Sequence, residues 1–254
     1  MKFSLQYAAA APPAPAKRAE FPPLAGADIA GMIQGDRVGG DLYHFVRANQ
    51  SRVLFGLLDV AGRREENFRI VEAARQTIQV AGVTRFVREE INEAEAMMEL
   101  CLELNLCIRR TAAGVHSCAA FLGCYNESIG TVCYVNAGHT PGLLRDAGGI
   151  TELPATGLPL GLFSASTYEA PTAALPEGTA LLLVSRGVVE AAHRKQEFGL
   201  ERVKQHLGTS SRRAASEMAG EILFAVQQFT GPTNQNDITA LALVRNSTMA
   251  TANA

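Results

Sequence analysis

Two aspartates stand at the ends of one short segment. Asp41 follows Gly39-Gly40, and Asp59 is followed by Val60-Ala61-Gly62. The residues between them read as a hairpin: a strand near 42–46, a turn around Ala48-Asn49-Gln50-Ser51, and a strand over 53–58. A hairpin brings its two ends together, so Asp41 and Asp59 become neighbours. Carboxylates at close range repel unless a cation lies between them or one keeps its proton. Oxygen pairs of this kind suit hard divalent cations. The same residues also make ordinary turn aspartates at strand ends, and spacing alone does not separate the two readings.

The surrounding elements must hold that hairpin. Helical spacing runs from Arg63 to Val80 (Phe68, Val71, Ala74, Ile78) and again from about Thr84 to Ile108 (Val87, Ile91, Ala94, Met98, Cys101, Leu104). From Val115 the pattern is extended: 115–125, the turn at 126–130, then 131–136, followed by 142–145 and 150–153. Extended segments over 167–175 and 179–184, helices over 199–207 and 212–229, and a last strand over 237–244 complete the chain. Hairpin-linked strands imply antiparallel sheets whose outer faces the helices cover, an α+β sandwich. The expected organisation is an Ala/Pro-rich flexible tail over 1–24, one domain over 25–246 and a polar tail over 247–254.

Composition narrows the function. With 254 residues, 47% hydrophobic and 19% charged, the chain can bury a large core. A net charge of -2 argues against a nucleic-acid or membrane-surface binder. Apolar runs such as 180–184 are far too short to span a bilayer. The five cysteines include no CxxC pair and read as reduced thiols of a cytoplasmic protein. His44, His116, His193 and His206 share no metal-ligand spacing, and neither a GxSxG elbow nor a GxxxxGK[ST] loop is present.

Several motifs then occur in a telling order: Gly39-Gly40-Asp41; Leu58-Asp59-Val60-Ala61-Gly62; Tyr134-Val135-Asn136-Ala137-Gly138-His139-Thr140-Pro141; Gly157-Leu158-Pro159-Leu160-Gly161; Leu181 through Ser185-Arg186-Gly187 to Ala191; Phe198-Gly199; and Asn236-Asp237-Ile238-Thr239. Over roughly 30–245 the chain resembles the SpoIIE/RsbU branch of the PPM-type, metal-dependent serine/threonine phosphatases. The resemblance implies two antiparallel sheets flanked by helices, with aspartates at one edge holding two Mn or Mg ions. It implies metal-assisted hydrolysis of a phosphoserine or phosphothreonine. It also implies a phosphorylated signalling regulator, such as an anti-sigma-factor antagonist, as substrate. Asp41 and Asp59 match the first two acidic positions, and the Val60 backbone carbonyl falls where the family uses the residue after its bridging aspartate. His139 is a family marker for which both a structural and a general-acid role are conceivable.

Two departures bear on the chemistry. Arg186 stands where the family has a ligand aspartate, and Asn236 where it has another, although Asp237 remains. An arginine has no lone pair for a metal and keeps its proton. At roughly 4 Å and an effective dielectric near 20, each unit-charge pair is worth about 4 kcal/mol. Arg186 either takes the space of an ion and pairs with Asp59, Asp41 or both, or swings to solvent and leaves the aspartates one weak ion. The function expected is therefore a SpoIIE/RsbU-like phosphatase with impaired hydrolysis, or a pseudophosphatase that binds a partner without hydrolysis. Mn or Mg is the family cofactor, with none an open outcome here. The charged stretch after Gly62 and the long helix near 84–108 offer surfaces on which a homodimer could form.

Overall fold

The strand Arg52–Val60 is buried along its whole length, because it lies inside a four-layer stack. The computed structural model describes residues 17–19, 21, 24–35, 40–62, 64–112, 117–211, 214–231 and 237–246. Gly39, Arg63, His116 and Asn236 fall outside that set.

In chain order the elements are β1 (Lys17–Ala19), β2 (Ala27–Gln34), β3 (Asp41–Arg47), β4 (Arg52–Val60), α1 (Arg64–Thr77), a π-helical turn (Ile78–Gly82), α2 (Val83–Phe86) and α3 (Glu93–Thr111). Then come β5 (Cys118–Asn126), β6 (Thr131–Ala137), β7 (Gly142–Asp146), β8 (Gly149–Leu153), β9 (Thr172–Ala174) and β10 (Ala180–Val184). The chain closes with α4 (Arg186–Val189), β11 (Ala192–His193), β12 (Gln196–Glu197), α5 (Gly199–Thr209), α6 (Ala215–Thr230) and β13 (Ile238–Arg245). One sheet has the order β1-β2-β13-β10-β7-β8 and the other β3-β4-β5-β6-β9, every pairing antiparallel. β1 lies within the stretch expected as tail and pairs with β2.

Side chains of a strand alternate between its two faces, and β4 uses both. Leu54, Leu58 and Val60 pack under α1 and α3 with Ile70, Leu100 and Leu104. Phe55 and Leu57 point the other way, into a core shared between the sheets with Leu181, Leu183, Leu241 and Leu243. A third cluster joins β10 and β13 to α5 and α6. The α+β sandwich expected from the pattern is the one observed.

The helix expected from about Thr84 to Ile108 is broken. α2 ends at Phe86, and α3 starts only at Glu93, N-capped by Asn92 through the Glu95 amide. The carbonyls freed at the break are taken by the sheet. Asn49 Nδ2 donates to Phe86 and Val87, and Arg52 donates to Arg88 and Glu89, each of those two at 2.9 Å. Periodicity cannot show this, because the partners come from β4 and its preceding turn. The strand expected over 167–175 likewise shrinks to Thr172–Ala174. Upstream, Tyr168 and Glu169 bond instead to the Thr156–Gly157 segment.

Candidate functional site

The inter-sheet core ends in polar residues of the same strand parity. Asp59 continues the face of Phe55 and Leu57, and Asp41 that of Tyr43 and Phe45. Thr239 and Asp237 continue the face of Leu241 and Leu243, and Ser185 that of Leu181 and Leu183. Alternation alone therefore brings these side chains to one end of the sandwich, where a cleft of about 250 Å³ opens. Its walls include Gly40, Asp41, Asp59, Val60, Arg186 and Asp237, with Gly62, Gly187 and Glu190 completing the rim.

Asp41 and Asp59 are direct cross-strand partners in the β3–β4 register. Thr239 Oγ1 donates to Asp41 Oδ2 at 2.6 Å. Ser185 ties β10 to β13 by backbone and side chain: its amide donates to the Thr239 carbonyl at 2.9 Å, and the Thr239 amide to its Oγ at 3.1 Å. Burial first, and then the neighbouring Asp59 charge, push the Asp41 carboxyl up to about 7 against the pull of its hydroxyl donors. Arg186 opens the four-residue α4. Its Nη2 lies 3.6 Å from Asp59 Oδ1, and its Nε 3.9 Å from Glu190 Oε1, with the side chain 55% exposed. The guanidinium thus leans on Asp59 from the solvent side. Pairs this exposed contribute about 0.2–1 kcal/mol.

Gly40 is required by close approach. Its amide neighbourhood presses on β4, where the Val60 amide donates to the Gly40 carbonyl at 3.0 Å. A Cβ at Gly40 would collide with the Val60 carbonyl oxygen and crowd Asn67.

His139 is buried and does not line the cleft. Its Nδ1 sits 3.1 Å from the Thr140 carbonyl oxygen, which can only accept, so the proton belongs on Nδ1. Nε2 then carries a lone pair, buried and without a hydrogen-bond partner among the described residues. Burial lowers this imidazole to about 4. A neutral ring with no proton on Nε2 is a structural group here: its amide donates to Asn136 Oδ1 at 2.8 Å, and Thr140 Oγ1 bonds the Val184 carbonyl at the end of β10. Gly138, at φ +68°, makes the turn that places it.

Sequence reasoning singled out Asp41, Asp59, Val60, Arg186, Gly187 and Asp237, and the structure gathers all of them around the cleft. Asn236 lies outside the described residues. Thr239, Ser185 and Glu190 carry contacts at the site but were assigned no role. The two-residue strand period from Asp237 to Thr239, and the four-residue helical step from Arg186 to Glu190, were the available signals. Among the described residues, no group of three or more His, Cys, Asp or Glu side chains is arranged to hold a metal ion. No described helix is long and apolar enough to cross a membrane.

Comparison with known proteins identifies the lineage. The family described as Stage II sporulation protein E (SpoIIE) matches residues 49–246. The phosphoserine phosphatase RsbP of Bacillus subtilis (strain 168) is 27% identical over 154 residues, 60% of this chain and 37% of RsbP. The chain thus spans well under half of that relative. The RsbU and RsbW domains of Rv1364c from Mycobacterium tuberculosis superpose with a TM-score of 0.70 at 23% identity, over 88% of this chain and 61% of that one. RsbX, solved in complex with magnesium, superposes at 0.61 with 12% identity, over 90% of this chain and 98% of its own. The chain belongs to the SpoIIE family and carries a SpoIIE/RsbU-type domain of the PPM phosphatase class.

Proposed function

We propose that this domain acts on a phosphorylated signalling regulator of the anti-sigma-factor-antagonist type, and that its hydrolysis is impaired by the loss of metal ligands. The similarity to RsbP, a phosphoserine phosphatase, supports a phosphoserine substrate. One observation carries the impairment: the Arg186 guanidinium, 3.6 Å from Asp59, stands in the cleft at a position where the family places a carboxylate.

The family's two ions call for more carboxylates than this cleft supplies. Asp41, Asp59, the Val60 carbonyl and Asp237 are oxygen donors suited to a hard cation. Against them stand the Arg186 guanidinium beside Asp59, an amide at 236, and an Asp41 already engaged by Thr239. A guanidinium cannot leave its charge behind to admit a divalent ion. These residues do not fit a two-ion centre. What the chain's own groups do is narrower: Arg186 leans on Asp59, and Thr239 donates to Asp41.

The guanidinium beside Asp59 favours a second reading, a pseudophosphatase that binds its partner without turnover. A p-nitrophenyl phosphate or phosphopeptide assay with Mn, run beside phosphopeptide binding, tests both. The wild type is expected near background, and Arg186→Asp with Asn236→Asp is expected to gain Mn-dependent activity that neither single change gives. Binding without turnover selects the pseudophosphatase. Robust Mn-dependent turnover by the wild type overturns the impairment.

A further inference from the structure

The hairpin of β11 and β12 springs from the rim of the cleft and carries two cations at its tip. Glu190 lines the cleft, and β11 begins at Ala192. Arg194 and Lys195 form the turn, both exposed and both in the left-handed region, at φ 47° and 68°. Glycine and asparagine adopt that backbone readily, whereas long side chains do so under strain. A strained tip persists where the surrounding structure holds its base, and this base is held firmly. The Phe198 amide donates to the Ala191 carbonyl at 2.7 Å. Arg202 Nη1 donates to the Glu197 carbonyl at 2.7 Å and to that of Phe198 at 2.8 Å. Phe229 on α6 meets the Phe198 ring at 5.5 Å, the His193 ring at 6.2 Å and the Arg202 guanidinium at 4.8 Å. Lys204 is engaged as well, by Glu152 and Glu201, each at 2.6 Å. Arg194 and Lys195, in contrast, enter no ion pair among the described residues.

The structure assigns this tip a docking role: it takes an acidic segment of the domain's phosphorylated protein partner, beside the cleft. Two adjacent cations on a rigid hairpin repel each other, and an anionic partner offsets that repulsion. The register sets Ala192 opposite Glu197 and His193 opposite Gln196. The hairpin's own acid, Glu197, therefore stands at the base and the cations at the tip. Glu190 on the cleft rim faces Arg186, at 3.9 Å. Four residues separate Glu190 from Arg194, at most about 14 Å of extended chain. A phosphoserine at the cleft mouth thus brings acids about four residues away on an extended peptide within reach of the tip. That spacing rests on the phosphoprotein reading above, whereas the preference for acids does not. A turn that served folding alone would relax with Asn-Gly.

Fluorescence anisotropy of the full chain with dye-labelled synthetic peptides, at low salt, reads this directly. Each peptide carries a phosphoserine and a run of glutamates, or of glutamines, beginning about four residues to either side of it. The wild type is expected to bind the glutamate peptides about fivefold more tightly, a preference that added salt removes. Arg194→Asn with Lys195→Gly is expected to abolish the preference while the domain melts no lower, which separates lost docking from lost fold. Arg194→Glu with Lys195→Glu is expected to reverse it. The same peptides with plain serine isolate the hairpin from the cleft. A glutamate preference that persists there supports the docking tip even where the phosphate adds nothing, an outcome that sinks only the cleft reading. A wild type that binds glutamate and glutamine peptides alike, or binds neither, overturns the inference. So does a preference that Arg194→Asn with Lys195→Gly leaves intact.

Discussion

Asp41 and Asp59 occupy directly opposed positions in the β3–β4 ladder, at the point where the apolar layer between the sheets gives way to a polar cleft. Like charges placed so destabilise a sheet. The fold tolerates them because Thr239 bonds one, Arg186 leans on the other, and Asp41 retains its proton up to about 7.

That proton makes stability depend on pH. An unfolded aspartate releases it near 3.8, whereas folded Asp41 holds it to about 7, so across that window the folded state binds more protons and loses stability as pH rises. Buried His139 acts in the opposite sense: its pKa falls from 6.5 to about 4, and the stability of the neutral ring is lost as pH falls through that range. The two effects oppose each other between pH 4 and 6.5, and only Asp41 acts from there to about 7. Asp41→Asn is expected to remove the loss of stability on approach to neutrality, about 2 kcal/mol of which falls between pH 5.5 and 8. Urea unfolding at pH 5.5 and pH 8, chosen as about one unit either side of that step, measures it.

Gly40 is expected to resist any side chain. Gly40→Ala drives a methyl group into the Val60 carbonyl, and the expected cost is about 1–3 kcal/mol. Equilibrium denaturation shows it. An unchanged midpoint would mean that β3 and β4 part more easily at this end than the Gly40–Val60 hydrogen bond suggests.

The hairpin between β11 and β12 turns on Arg194 and Lys195, both left-handed, at φ 47° and 68°. Asn-Gly is the favoured pair for such a turn. Arg194→Asn with Lys195→Gly is therefore expected to stabilise the domain by about 1 kcal/mol, read as a rise in melting temperature.

Arg52 fastens the break between α2 and α3 to the sheet. Its Nε lies 2.5 Å from Glu93 Oε1, with both side chains largely buried, and Asn126 Nδ2 bonds the same oxygen at 2.7 Å. Arg52→Ala strands that carboxylate and two backbone carbonyls, and is expected to cost about 3–5 kcal/mol. Removing Arg52 and Glu93 together is expected to cost less than removing Arg52 alone, which a double-mutant cycle resolves.

How far the fold could be read from the residues follows from which forces are local. The β3–β4 hairpin was legible because alternation and turn residues lie within the segment itself, and strand parity alone then aims Asp41 and Asp59 into the same space. The break near residue 90 was not legible. The apolar spacing runs straight through it, and the carbonyls of the break are bonded by Asn49 and Arg52, 37 and 36 residues away in sequence. Thr239 was hidden for the same reason: its hydroxyl meets Asp41 across 198 residues of chain. Arg186 was legible as a charge out of place. Its posture, tilted against Asp59 and half in solvent, depends on the turn of α4 and on Glu190.

Calorimetric titration of Mn into the purified chain, wild type beside Arg186→Asp/Asn236→Asp, tests the central claim most directly, that a guanidinium beside Asp59 stands in for divalent cations. The account predicts no binding heat for the wild type and a clear isotherm for the double variant. Tight Mn binding by the wild type, unchanged by the two substitutions, would contradict it.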